Sequence, residues 1–234
     1  MIPKKIHYCW FGKAKKPILL LKCINSWKQH MPDYQIIEWN EENFDINSNE
    51  YTKNAYKNKK WAFVSDYVRL QALYKQGGIY LDTDMYILKR FDDFLDNDLV
   101  LGKEDEDYIS AGMIACKQDN IYIKDLLNIY GENINRKPIP VIMTEVFNQY
   151  NSTYKDKKIK IFNYKYFYPF NADNIKKYNY KNAPKESYGV HMWNYSWGHP
   201  INKFLKKIGI YTRVNNIITK LRLKKSIKSL LRME

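Results

Sequence analysis

Long apolar runs are missing from this 234-residue chain. No stretch reaches the roughly 18 uninterrupted apolar residues that a membrane span needs, and no apolar leader run precedes the strand-like opening. Cysteine is scarce as well. Cys9, Cys23 and Cys116 are odd in number, widely spaced and set in apolar sequence, which favours buried thiols in a reducing compartment over a disulfide framework and leaves no cysteine-rich zinc pattern. No internal repeat breaks the chain into modules. The expected setting is the cytoplasm. Hydrophobic residues make up 45% of the sequence, enough to bury a full core, most simply in one domain with appendages.

Acids are the minority charge, and the net charge of +14 suggests a nucleic-acid partner until it is divided along the chain. From Lys203 to Glu234 ten bases face one acid, so +9 lies there and +5 in residues 1–202. In that tail Val214, Ile217, Ile218, Leu221, Ile227, Leu230 and Leu231 punctuate the bases at near-helical spacing, which predicts a basic amphipathic segment. Such a segment can lie on an anionic membrane, each base near the surface adding roughly 1 kcal/mol. Packing within the protein or an oligomer, and nucleic-acid binding, are the alternatives. The expected division is a folded domain over 1–200 and a basic helical tail over 201–234.

The periodicities predict an alternating α/β domain. Lys5 to Phe11 reads as a strand, Pro17 to His30 as a helix opened by proline, and Tyr34 to Trp39 as a second strand. Glu41 to Lys59 is polar and asparagine-rich, suited to short helices and loop. Leu99 to Gly102 and Met113 to Cys116 read as further strands, Ile121 to Ile134 and Val141 to Tyr150 as helices. Such alternation favours a mostly parallel sheet covered by helices, with ligands beyond the carboxyl ends of its strands. Asn163 to Tyr188, dense in tyrosine, asparagine and lysine, suits either an acceptor-facing loop or packing on the core.

The chemistry concentrates between Trp61 and Met85. Asp66 and Arg69, three apart, share one face of a predicted helix beside the apolar stripe Phe63, Tyr67, Leu70 and Tyr74. Gly77-Gly78 reads as a left-handed C-cap and turn. A strand Ile79-Tyr80-Leu81 follows and delivers Asp82 and Asp84 on one face, with Thr83 on the other. Two hard carboxylates at one strand tip can share a magnesium- or manganese-like ion, which keeps waters and is commonly bridged to substrate phosphates. Asp-x-Asp alone says little. It recurs as Asp96-Asn97-Asp98 and Asp105-Glu106-Asp107, where the solvated-surface reading prevails. Only the first copy follows an apolar strand, a Gly-Gly stop and an Asp-x-x-Arg helix.

Ala62 to Leu70 together with Gly77 to Asp84 closely resembles the DXD region of glycosyltransferase family 32, which includes bacterial capsular polysaccharide glycosyltransferases. It is more distantly similar to the large glucosylating bacterial toxins. The opening Ile2-Pro3-Lys4-Lys5-Ile6-His7, followed by Trp10, resembles the family's first strand, and His191-Met192-Trp193-Asn194-Tyr195-Ser196-Trp197 its C-terminal segment. The resemblance covers roughly residues 1 to 200.

It implies the GT-A nucleotide-sugar-binding fold and a metal-dependent retaining transferase moving a hexose from a nucleotide sugar, UDP-linked first of all, to a capsule, O-antigen or similar lipid-linked glycan. Mn²⁺ or Mg²⁺ would be the cofactor. Residue by residue, it implies Trp10 stacking on the base, Asp66 and Arg69 on the donor sugar and phosphates, and Tyr80 in the donor site. Asp84 would ligate the metal, Asp82 would hold the ribose or share the ion, His191 and Ser196 would complete the metal or diphosphate site, and Trp197 would sit over the leaving diphosphate. Asp82, Asp84 and Arg69 would carry the catalysis, the bound cation and Arg69 stabilising the departing phosphate. The tail would hold the protein on the inner face of the cytoplasmic membrane, with no nucleic acid bound.

Ordinary structural roles compete at several positions: a core tryptophan at Trp10 or Trp197, an ion pair for Asp66 and Arg69, a pocket wall for Tyr80, a structural His191. One departure stands out. Where family members often have Thr-Gly-Pro, this chain has Thr144-Glu145-Val146. Three rivals remain: a nucleic-acid-binding protein, which leaves Asp82 and Asp84 without a task; a phosphoesterase, which usually wants more metal ligands; and a silent membrane scaffold.

Overall fold

The computed structural model describes residues 1–131, 137–149, 151–154, 157–171 and 180–194. The chain opens as a βαβ unit, β1 (Lys5–Cys9), α1 (Ile18–His30) and β2 (Gln35–Trp39), with β1 and β2 parallel. β1 ends short of the expected Phe11. Gly12 turns the chain at φ +90°, where a Cβ would lie 2.6 Å from the Trp61 indole.

After a polar loop come α2 (Glu50–Lys57) and α3 (Trp61–Gln76). The Asn49 side chain caps α2 by accepting from the Tyr51 and Thr52 N–H groups. α3 stops at Gly77, as expected, but not in the left-handed helical basin: its φ of +61° and ψ of −168° fall in a region essentially reserved for glycine. Close approach enforces the choice, since a Cβ there would sit 2.6 Å from the Gln118 nitrogen.

Next come β3 (Gly78–Leu81), β4 (Met85–Ile87), β5 (Leu99–Lys103), β6 (Ile109–Cys116), α4 (Ile121–Gly131), α5 (Ile139–Gln149), β7 (Ile159–Phe162) and β8 (Gly189–His191). The main sheet has the order β2-β1-β3-β6-β5-β7. Only β6 runs against its neighbours, so the sheet is mostly parallel, and β4 pairs with β8 in a small antiparallel second sheet. β6 begins four residues before the expected Met113. Its first half, Ile-Ser-Ala-Gly, is too polar and glycine-containing to read as apolar strand.

Both faces of the main sheet are buried, which is why its strands read as unbroken apolar runs rather than alternating ones. Along β3, Tyr80 faces the core built on α3, α4 and α5, while Ile79 and Leu81 face the second core with Trp27 and Ile24 of α1. On β6, Ile114 and Cys116 go to the first core, Met113 and Ala115 to the second. Part of 163–188 joins that second core: Phe167 and Tyr168 are buried there, so packing rather than exposure describes this part, and 172–179 lie outside the described residues.

The chain leaves β1 for β2 on one side and returns to β3 on the other. That reversal is a topological switch point, where open α/β sheets bind ligands beyond the carboxyl ends of the strands. Trp10 follows the carboxyl end of β1, and Asp82 that of β3.

Candidate active site

The acids do not alternate on a strand as the sequence suggests. β3 ends at Leu81, and Asp82 to Met85 form a turn closed by the Met85 N–H donating to the Asp82 carbonyl at 2.9 Å. The turn still directs both carboxylates to one place. One ligand atom each from Asp82, Asp84 and His191 lie within 4.8 Å of one another. The pairing of β4 with β8 brings His191 there, by setting Met85 opposite it in register.

The two carboxylates are held differently. Asp82 Oδ1 accepts from Arg69 Nη1 and from the Tyr80 hydroxyl, each at 3.1 Å, and its side chain stays 31% exposed. Asp84 is buried, with Oδ1 3.2 Å from His191 Nε2 and Oδ2 accepting the Asn194 N–H at 2.7 Å. Burial would raise the Asp84 carboxyl, but His191 and the Asn194 N–H outweigh it and hold the group below its usual range. Burial likewise opposes charge on His191, yet Asp84, with Asp82 and Glu104 behind it, raises the imidazole above its ordinary value. Trp193 adopts a left-handed φ of +50°, which aims the next N–H at Asp84. For a bulky residue that costs about 1–3 kcal/mol.

Arg69 anchors Asp82 from below. Its guanidinium donates to Ser65 O, Asp66 Oδ1, Asp82 Oδ1 and Ala111 O, using four of five N–H groups, and lies 4.5 Å from the centre of the Tyr80 ring. Asp66, buried beside it, is pushed up to about 6 by burial, against the pull of Arg69. Tyr80 is fully buried, so it both walls the site and orients Asp82. Trp10, half-buried, donates its indole N–H to Ala14 O at 2.6 Å. Ser196 and Trp197 lie outside the described residues, as does the tail over 201–234.

The other two Asp-x-Asp copies do structural work. Asp98 pairs with Lys117 at 2.6 Å, and Asp105 accepts the Asp107 and Tyr108 N–H groups in a turn. Glu145 pairs with Lys137 on the surface, while Thr144 accepts the Ile109 N–H at the start of β6.

β6 also supplies neighbours that sequence reasoning missed. A Cβ on Gly112 would meet the Tyr168 hydroxyl at 2.8 Å and Asp82 Oδ2 at 3.1 Å, so only glycine lets the acid lie against this strand. A lone glycine in an apolar strand signals such an approach. Buried Ser110 and, at the end of β5, Glu104, pushed up to about 7 by burial and then by Asp105, flank the same spot. No periodic pattern marked them.

Two family descriptions match. "Glycosyltransferase sugar-binding region containing DXD motif" spans residues 17–101, taking in Asp66, Arg69, Asp82 and Asp84, and "Alpha 1,4-glycosyltransferase conserved region" spans 120–216, taking in His191. The chain thus carries a DXD glycosyltransferase sugar-binding region and, after it, an alpha-1,4-glycosyltransferase region. A curated relative of this glycosyltransferase is the Subversion of eukaryotic traffic protein A of Legionella pneumophila (strain Philadelphia 1), 26% identical over 119 residues. That match covers 39% of this chain and only 18% of the relative's length.

The solved PaToxG glycosyltransferase shares the fold at 20% identity and a TM-score of 0.52, covering 63% of this chain and 68% of that one. The fold is therefore the GT-A glycosyltransferase fold that the sequence resemblance implied. GlyE of Streptococcus pneumoniae TIGR4 aligns over 94% of this chain and 64% of its own at 11% identity and a TM-score of 0.49.

Proposed function

We propose that this glycosyltransferase moves a hexose from a nucleotide sugar, UDP-linked in the first instance, to a surface-glycan acceptor with retention at the anomeric carbon. The observation that carries the reading is the meeting of Asp82, Asp84 and His191 beside a switch point of the sheet. Two carboxylates and an imidazole make a donor set that fits Mn²⁺ or Mg²⁺, since such ions take oxygen ligands, accept imidazole in the manganese case and keep positions for phosphate oxygens. When bound, the ion supplies positive charge next to the leaving diphosphate.

The chain's own residues do the rest. Asp84 and His191 would hold the ion, prealigned by the Asn194 N–H and by the β4–β8 pairing. Asp82 offers Oδ2 to the ion or the ribose while Arg69 and Tyr80 hold Oδ1. Arg69 keeps one N–H in reserve for a donor oxygen, and its charge offsets Asp66 and Asp82. Trp10 would stack on the base at the end of β1, Asp66 and Arg69 would contact the donor sugar and its phosphates, Ser196 would complete the metal or diphosphate site, and Trp197 would sit over the leaving diphosphate. The basic tail over 201–234 holds the domain to the inner face of the cytoplasmic membrane, where a lipid-linked acceptor would be met.

Donor hydrolysis tests this. Purified protein should cleave at least one nucleotide sugar with Mn²⁺, lose that activity on chelation, and lose it in Asp84→Ala. Absence of metal-dependent cleavage with every nucleotide sugar tried, together with salt-sensitive retention of nucleic acid, would favour a non-catalytic basic binding protein instead.

A further inference from the structure

The outward face of α1 carries residues that a soluble helix seldom displays. Ile18 is 74% and Leu21 43% exposed, two of only five exposed large hydrophobic residues among those described. Positions 18, 21, 22, 25, 28 and 29 fall in one stripe at 100° per residue, and all are exposed. The stripe therefore reads Ile18, Leu21, Lys22, Asn25, Lys28, Gln29. α1 contains no acid at all.

At the C-terminal end the stripe runs into a hollow of about 380 Å³ between α1 and the β4–β8 sheet. Gln29 and His30 form one wall, Tyr86 and Tyr180 stack at 3.9 Å, and Lys89, Lys181 and Lys185 line the rest, with no acid in the lining. Lys89 is fixed by donating to the Lys185 carbonyl and lies 5.5 Å from the Tyr188 ring. Glu186, exposed between Lys185 and Ser187, is the one acid adjoining this lining in the chain, and Asp33 and Asp92 are taken by Lys4 and Arg90.

We infer that this face docks on an anionic phospholipid membrane, with Ile18 and Leu21 entering the headgroup layer and the lysine-lined hollow receiving a lipid phosphate. Two protruding aliphatic side chains beside a surplus of lysines over the single Glu186 are what interfacial binding uses: apolar burial for insertion, and bases for the negative surface potential. A protein partner would leave the lysines unanswered unless it were acidic, and nucleic acid gives Ile18 and Leu21 no apolar contact. The placement also suits the active site. On its inner side α1 donates Trp27 Nε1–H to Met85 O at 2.6 Å, and Ser26 Oγ accepts the Ile87 N–H at 2.9 Å, so α1 is the layer between the membrane and the strand that follows Asp84. One helix diameter, about 10–12 Å, then separates bilayer from that strand, within reach of an acceptor held by a lipid anchor.

This inference uses only residues of the folded domain. It is independent of the tail and of the transferase reading, because binding is measured without turnover. Full-length protein is sedimented with vesicles of phosphatidylcholine alone and of phosphatidylcholine mixed with phosphatidylglycerol. Binding should require phosphatidylglycerol and weaken with salt. The variant Ile18→Gln/Leu21→Gln/Lys22→Glu/Lys28→Glu should bind at least about tenfold more weakly. Lys89→Glu/Lys185→Glu should lose roughly half as many decades, while Mn²⁺-dependent donor hydrolysis in the absence of vesicles stays unchanged in both. The same loss should appear in full-length protein whose tail carries Lys224→Gln/Lys225→Gln/Lys228→Gln. The substituted positions within the described residues are exposed, and unchanged melting temperatures establish that the variants fold. Wild-type binding by the α1 variant, equal binding to neutral vesicles, or retention of a DNA duplex without vesicle binding would each overturn the proposal.

Discussion

Two charge networks of similar size and bond length sit in this protein under opposite conditions. Asp66, Arg69 and Asp82 are linked at 3.0 and 3.1 Å with the guanidinium only 6% exposed. Lys4, Asp33, Arg90 and Asp92 are linked at 2.6 to 2.9 Å on the surface, with side chains 34 to 44% exposed. Distance alone would rank the surface network first. Burial reverses the ranking: in water each exposed pair is worth little, whereas removing one member of a buried set strands the others in a low dielectric. The surface network fastens the end of α1 to β1 and to the loop after β4; the buried one sets the position of Asp82.

The largest effect that would break this contrast concerns Arg69. Arg69→Ala should destabilise the fold by about 3–5 kcal/mol, read as a lowered urea midpoint, and should also remove Mn²⁺-induced thermal stabilisation because Asp82 loses its anchor. A loss no greater than that of a surface variant would mean that burial does not govern the energetics here.

Next comes a second buried polar group, His7, held by two partners of its own. It lies between the Gly77 carbonyl, 2.9 Å from Nε2, and the Trp39 indole N–H, 3.2 Å from Nδ1, and burial pushes its imidazole down to about 4. Nδ1 accepts, so Nε2 carries the proton and the neutral ring is the form that fits. The folded state therefore takes up this proton less readily than the unfolded chain. Its contribution is intact above the unfolded value near 6.5 and is lost as pH falls toward 4, a total on the order of 3 kcal/mol. Urea midpoints of wild type and His7→Gln compared at several pH values should show a flatter dependence in the variant between 6.5 and 4.

The smallest effect is expected at the surface. Arg90→Ala should move the urea midpoint least of the three and become indistinguishable from wild type in concentrated salt. A larger, salt-insensitive loss would show that the surface network works through packing, for which the Tyr34 ring 6.0 Å from Arg90 is the candidate.

Much of the fold was legible because both faces of the main sheet are buried and its strands are short apolar runs between glycine or polar breaks. The Asp66/Arg69 face, the stop at Gly77 and the three leading strands follow from local pattern. The small second sheet did not show. Three-residue strands such as Met85–Ile87 and Gly189–His191 carry no readable period, and their pairing spans about a hundred residues of chain. For the same reason local pattern puts Asp82 and Asp84 on alternating strand positions, whereas a turn between β3 and β4 carries them. Gly112 and Ser110 were hidden behind a strand assigned too short.

What the sequence alone determined is the chemical inventory and its local order: an acid and a base on one helix face, a glycine stop, two acids after an apolar strand, a histidine far downstream, and bases gathered where acids are few. Those follow from covalent spacing and side-chain type. Tertiary structure decided which of these meet. It set His191 against Asp84, turned Arg69 inward to fix Asp82, and left Ile18 and Leu21 facing water, because contacts between distant segments depend on sheet order and on which face of each element is buried.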